Sequence, residues 1–115
     1  MNHGGAHVRH DGRYGIIQLT GEIDHANAAR LEREVHTAAT AAPAVILDLT
    51  LVTFLDSAGL RLLDSLVRSC ADRRCPVLVV APSPGAVRFT LELMGFRPDL
   101  LMDTLDEART VLAPP

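Results

Sequence analysis

The sequence predicts an α/β fold: a single domain with a mixed, mostly parallel sheet, an N-terminal hairpin and about four helices. Three observations carry that prediction. "AHVRHDGRYGIIQLTG" reads as two short strands around a turn, and "AVILDL" and "CPVLVV" are continuous apolar runs of the kind buried on both faces of a parallel sheet. Between and after them lie segments whose apolar residues recur at helical spacing. Strands that alternate with helices after a hairpin imply parallel crossover connections.

The first strand is expected around Ala6 to His10, at an edge, and the second from Tyr14 to Thr20, with Asp11 and Gly12 supplying the turn. From Asp24 the period changes. Ala28, Leu31, Val35 and Ala38 return near one face, Asp24 is placed to cap the first free amides, and Pro43 closes the helix. A buried strand then ends near Leu49. A second helix begins at or just after Ser57, with Leu60, Leu63, Val67 and Cys70 on one stripe and Leu62 and Leu66 beside it. After "CPVLVV", Ser83 is expected as cap and Pro84 as the first position of a third helix that stops before Gly95. A short strand at Leu100 to Met102 and a helix from Leu105 to Leu112 complete the pattern. Residues 1-5 are expected to be a flexible segment, 6-112 the domain and 113-115 a tail. Sheet order and the faces taken by the helices stay open at this level.

Composition narrows the function. At 115 residues, 48% apolar and 22% charged, the chain is long enough to bury a core without metals or disulfides. A formal charge of -3 leaves no basic face for a phosphate backbone, so direct nucleic-acid binding is not expected. Arg61, Arg68, Arg73 and Arg74 read as a solvated helix face, with contact to an acidic protein as the alternative. No signal-peptide core and no membrane-spanning run is visible, which makes a cytoplasmic protein without membrane insertion the default. Cys70 and Cys75 fit neither the redox spacing nor a metal-ligand set; they read as inert, partly buried thiols, against a regulatory disulfide.

The chemistry-bearing stretch is "TFLDSAGLRLL". As a bare serine ahead of a helix, Ser57 reads first as an N-cap, with a modified or reactive residue as the alternative. Gly59 reads as a packing glycine, or as room for a close partner or a phosphoryl group. The run is neither a phosphate-binding loop nor the Gly-x-Ser-x-Gly elbow, so no ATPase or serine nucleophile follows. His25 and His36 read as surface or local capping residues rather than bases for Ser57. His3, His7 and His10 form a polar tract with a weak metal alternative. Sequence separation alone does not bring Asp24, Asp48 and Asp56 together. No catalytic residue, metal or cofactor is assigned.

"TGEIDHANA", "VILDLTLVTFLDSAGLRLL", "LELMGF" and "LMDTLDEA", in that order, resemble the anti-sigma factor antagonist branch of STAS domains, from Val8 through Leu112. The resemblance implies that Ser57 is phosphorylated by a cognate anti-sigma factor serine kinase with bound ADP or ATP, and that Asp24 lies near that serine and helps contact the kinase. It further implies a docking surface of Asp24, Asp56, Ser57, Ala58, Gly59 and Arg61. Ala58 stands where many such antagonists carry a second serine or threonine. The function implied is partner switching: the unphosphorylated protein binds the anti-sigma factor and frees sigma factor for transcription. The alternative is a non-phosphorylated STAS scaffold in a transporter-associated or signalling complex.

Overall fold

The computed structural model describes residues 4–113. Its elements run β1 (Gly5–Asp11), β2 (Tyr14–Ile23), α1 (Ala28–Thr40), β3 (Ala44–Leu55), α2 (Ser57–Asp72), β4 (Val77–Val80), α3 (Ala86–Leu93), a 3-10 turn (Pro98–Leu100), β5 (Leu101–Met102) and α4 (Leu105–Leu112). The strands lie side by side in chain order, β1 antiparallel to β2 and every later pair parallel.

Successive strand residues point to opposite faces, so each inner strand serves two cores. Ile17, Leu19, Val45, Leu47, Val77 and Val79 face the larger one, closed by Leu31 and Val35 of α1, Leu62, Leu63 and Leu66 of α2, and Leu91 of α3. Ile16, Ile46, Leu78 and Val80 face a smaller one covered by Ala108 of α4. Same-handed crossovers that step in one direction place their helices on one side of the sheet. The helix after the last strand is free to cover the other side, and α4 does so. With both faces covered, "AVILDL" and "VLVV" have no solvent side on which to alternate.

Four expectations are corrected. β3 does not end near Leu49 but continues to Leu55. Beyond Asp48 it leaves β4 and stays with β2 through two irregularities, Gln18↔Asp48 giving way to Thr20↔Leu51 and Gly21↔Val52 to Glu22↔Phe54. Each adds a residue to β3 and resets the alternation by which a strand is read. α3 starts at Ala86 with Gly85 at its N-cap and no side-chain cap, so Ser83 and Pro84 belong to the preceding loop. There the Ser83 amide donates to Asp103 Oδ1 at 3.1 Å. Asp24 does not cap α1; the N-cap position falls on Asn27. Lastly, β1 opens at Gly5 rather than Ala6, within the segment 1-5, where buried Gly4 accepts from Arg30 Nη2 at 2.8 Å. The rest of that segment, with His3, and residues 114–115 lie outside the described residues. Among the described residues no helix is long and apolar enough to cross a membrane.

Candidate functional site: the β3–α2 junction

Between the end of β3 and the start of α2 stands a single residue, Asp56. Its extended backbone turns the carboxylate back over the helix, where Oδ1 accepts from the Ala58 amide at 2.9 Å and the Gly59 amide at 3.1 Å. Those are the second and third helical amides, the donors that an N-cap satisfies. Asp56 is therefore the cap, and Ser57, expected in that role, is the first residue of the helix. Its side chain is exposed and makes no hydrogen bond to any described residue.

The junction is locked from below. A Cβ built on Gly59 would stand 2.8 Å from Leu55 Cγ and 3.2 Å from both Cγ2 and the carbonyl oxygen of Ile23. Only a glycine lets the first turn of α2 sit this close to β2 and β3. Ala58 is buried beside it. Both thus face inward, and they fix the turn on which Ser57 stands.

The β2–α1 loop is tied to the same point. The Asp56 amide donates to the Ile23 carbonyl at 3.2 Å, and the His25 amide donates to Asp56 Oδ2 at 3.3 Å. Asp24, between Ile23 and His25, is thereby brought alongside Asp56. Its carboxylate accepts the Ala26 amide at 2.9 Å, and its carbonyl accepts those of Asn27 and Ala28. It starts the turn that leads into α1. His25 Nδ1 lies 3.8 Å from Asp56 Oδ2 on an imidazole 88% exposed. Desolvation, the largest influence on Asp56, pushes its pKa up, but the amides of Gly59, Ala58 and His25 and the nearby imidazole together outweigh it and hold the carboxyl below its ordinary value. The site therefore carries a firmly ionised carboxylate next to an uncharged hydroxyl.

Arg61 is exposed one turn along α2 from Ser57. His36 is elsewhere, its Nε2 3.2 Å from Ser65 Oγ, two turns beyond Ser57. The contacts of His25 run to Asp56, so neither histidine is arranged as a base for the serine. His7 and His10 stand three apart on β1 and so point to opposite faces. Among the described residues no cluster could hold a metal ion. Asp48 is also remote in role: buried on the α4 side, it accepts from the Thr50 amide at 2.9 Å and hydroxyl at 2.6 Å.

Sequence reasoning missed an apolar flank. Phe54 is 49% exposed and shares a shallow groove with Leu55 of β3 and Ala86, Val87 and Thr90 of α3. On the outer side of α3, Phe89 and Leu93 are 65% and 73% exposed. The signal was present: Phe89 and Leu93 recur at i, i+4 on a different face from buried Leu91, and a helix this short cannot bury two faces.

The STAS domain model matches residues 6–108. The fold resembles the crystal structure of an anti-sigma factor antagonist from Mycobacterium paratuberculosis, with 29% identity and a TM-score of 0.87 over 96% of this chain and 94% of that one. It also resembles the anti-sigma factor antagonist SpoIIAA in its unphosphorylated form, with 25% identity and a TM-score of 0.76 over 93% and 96% of the two chains. The phosphorylated form of SpoIIAA, a Bacillus cell fate determinant, shares the fold at 24% identity and a TM-score of 0.72 over 95% of this chain and 100% of that one. No curated protein sequence matches. A sheet in this order, capped at the β3–α2 junction by Asp56, and a model that spans all but the chain's ends make one conclusion: the protein belongs to the STAS domain family, whose members of this kind are regulatory modules rather than enzymes.

Proposed function

We propose that the protein is an anti-sigma factor antagonist: unphosphorylated, it docks on an anti-sigma factor serine kinase with bound ADP or ATP in the cytoplasm and frees sigma factor, and phosphorylation of Ser57 ends the docking. The observation that carries this reading is the division of labour at the junction. Asp56 caps α2, so the Ser57 hydroxyl is exposed at a fixed place and the fold does not depend on it.

A phosphate on Ser57 adds about 1.5 to 2 negative charges and three strong acceptors. The positive end of the α2 dipole tolerates that charge, so the fold survives. A partner seated against Asp24, Asp56 and the hydroxyl would face a charge it was not built to meet, near the half-exposed ring of Phe54 at the end of β3. Arg61 supplies a cation within one turn, suited to an acidic group on the partner. ATP chemistry belongs to the kinase, since the chain has no phosphate-binding loop.

Binding of Ser57→Ala and Ser57→Asp to candidate anti-sigma kinases, with ADP or ATP added, tests the reading. Alanine is expected to bind as wild type and to resist kinase-dependent release. Aspartate, with about one negative charge, is expected to weaken binding less than phosphoserine does. Folded wild type that binds none of these kinases would refute the assignment.

A further inference from the structure

At the far end of α2 the chain closes with the hydrogen-bond pattern of a Schellman motif. The Cys75 amide donates to the Cys70 carbonyl at 2.8 Å and the Arg74 amide to the Ala71 carbonyl at 3.0 Å, with Arg74 in the left-handed region at φ 56°. This motif brings together the side chains on either side of the turn, normally an apolar pair. The end of α3 shows the ordinary version: Gly95 at φ 76°, Phe96 N–H to the Leu91 carbonyl at 2.9 Å, and Leu91 and Phe96 both in the core. At the end of α2 the corresponding pair is two thiols.

We infer that Cys70 and Cys75 form a reversible dithiol–disulfide site, oxidised by a low-molecular-weight disulfide that reaches Cys75 first. Both thiols are free and belong to the same core cluster, one on each side of the turn. The backbone bond that joins their residues, at 2.8 Å, brings the two side chains to one side of the turn, as the motif does for its usual apolar pair. Cys75, 6% exposed and with its Sγ 3.7 Å from the Ala42 carbonyl oxygen, lines a surface groove of about 310 Å³ with Val67, Ala71, Pro76 and Arg97, whereas Cys70 is fully buried. Burial above all, and then neighbouring Cys75, push the Cys70 thiol up to about 11, which makes it a poor first nucleophile.

The reaction balances in two exchanges. The Cys75 thiolate attacks one sulfur of the small disulfide, forming a mixed disulfide and expelling one small thiolate. The Cys70 thiolate, with Arg73 Nη2 at 3.7 Å from its sulfur, then attacks the Cys75 sulfur and expels the second. Two protein thiols and one disulfide become one protein disulfide and two small thiols. The site stands at the opposite end of the 16-residue α2 from Ser57, roughly 22 Å away along the helix, and acts independently of it.

Intact-mass spectrometry of the folded protein treated with oxidised glutathione, then denatured and alkylated, reads the outcome. Wild type is expected to lose two hydrogens, take up no alkyl group and regain two alkylatable thiols on reduction. Cys70→Ala is expected to stop as a glutathione adduct on Cys75, and Cys75→Ala to stay unmodified at Cys70. At one glutathione ratio, folded wild type should favour the internal disulfide over its adducts by roughly tenfold or more relative to urea-unfolded wild type. That last comparison needs no variant to fold. Two free thiols after treatment, a lasting adduct on wild type, adduct formation at Cys70 in Cys75→Ala, or equal preference folded and unfolded would each overturn the inference.

Discussion

The two strand–helix junctions that meet at Asp56 are built in opposite ways. From β2 to α1 the chain uses residues 24–27, and the N-cap Asn27 makes no cap bond; its side chain holds the turn, accepting from the Asp24 amide and donating to the Glu22 carbonyl. From β3 to α2 a single residue connects, caps and also receives the His25 amide of the other junction. The first junction leans on the second. Under the proposed switch, the Ser57 hydroxyl would be modified without loss of the fold, because the bonds of its junction are made by its neighbour Asp56.

If the difference lies in the helix starts and not in helix packing, the anchors should be alike. Leu31 in α1 and Leu63 in α2 are both fully buried, so truncation of either to alanine should cost about 2 to 5 kcal/mol in urea unfolding. A cost below about 0.5 kcal/mol at Leu63 would mean that α2 does not pack on the sheet as described. Gly59→Ala comes next. In an ordinary helix it would stabilise, but the clash with Leu55 and the Ile23 carbonyl should make it cost about 1 to 3 kcal/mol. A stabilised variant would remove the lock from the junction.

Asp56→Ala should cost about 1 kcal/mol at neutral pH, more than Asp24→Ala, whose carboxylate accepts a single exposed amide. The sign of the pH dependence follows from the depressed pKa of Asp56. Its contribution is fully present above the unfolded value of about 3.9 and is lost as pH falls through the lower folded value. Stability curves of wild type and Asp56→Ala should therefore be separated near neutrality and converge at the acid end. A constant gap, or an equal loss for Asp24→Ala, would erase the contrast between the junctions. The smallest effect is expected at Ser57→Ala, within about 0.5 kcal/mol of wild type, because no cap is removed. A loss of about 1 kcal/mol would return the capping role to Ser57.

What could be read in the sequence follows the strength of each local signal. α4 lies where expected, from Leu105 to Leu112, because Thr104 caps it through the Glu107 amide and its apolar period is uninterrupted. α2 was legible for the same reason, but its cap was displaced by one residue: in "LDSAG" both Asp and Ser are good N-caps, and only the backbone decides which one precedes the first helical residue. The continuation of β3 through "TLVTFL" was hidden because two added residues break its alternation. Of the site, Ser57, Asp56 and Asp24 were visible as residue types and through family resemblance. That His25 reaches Asp56 and that Phe54 lies open is tertiary information, since an apolar strand residue looks the same whether or not another element covers it, whereas the exposed pair Phe89 and Leu93 carried a signal in its i, i+4 spacing away from Leu91.

The central claim is tested most directly by the dissociation constant of one nucleotide-loaded anti-sigma kinase for the unphosphorylated protein and for the protein stoichiometrically phosphorylated at Ser57. The account predicts retained folding and an affinity lower by roughly tenfold or more, the effect of setting about 1.5 to 2 extra negative charges into a close interface. Unchanged affinity after full Ser57 phosphorylation, or modification exclusively at Thr50 or Thr53, would contradict it.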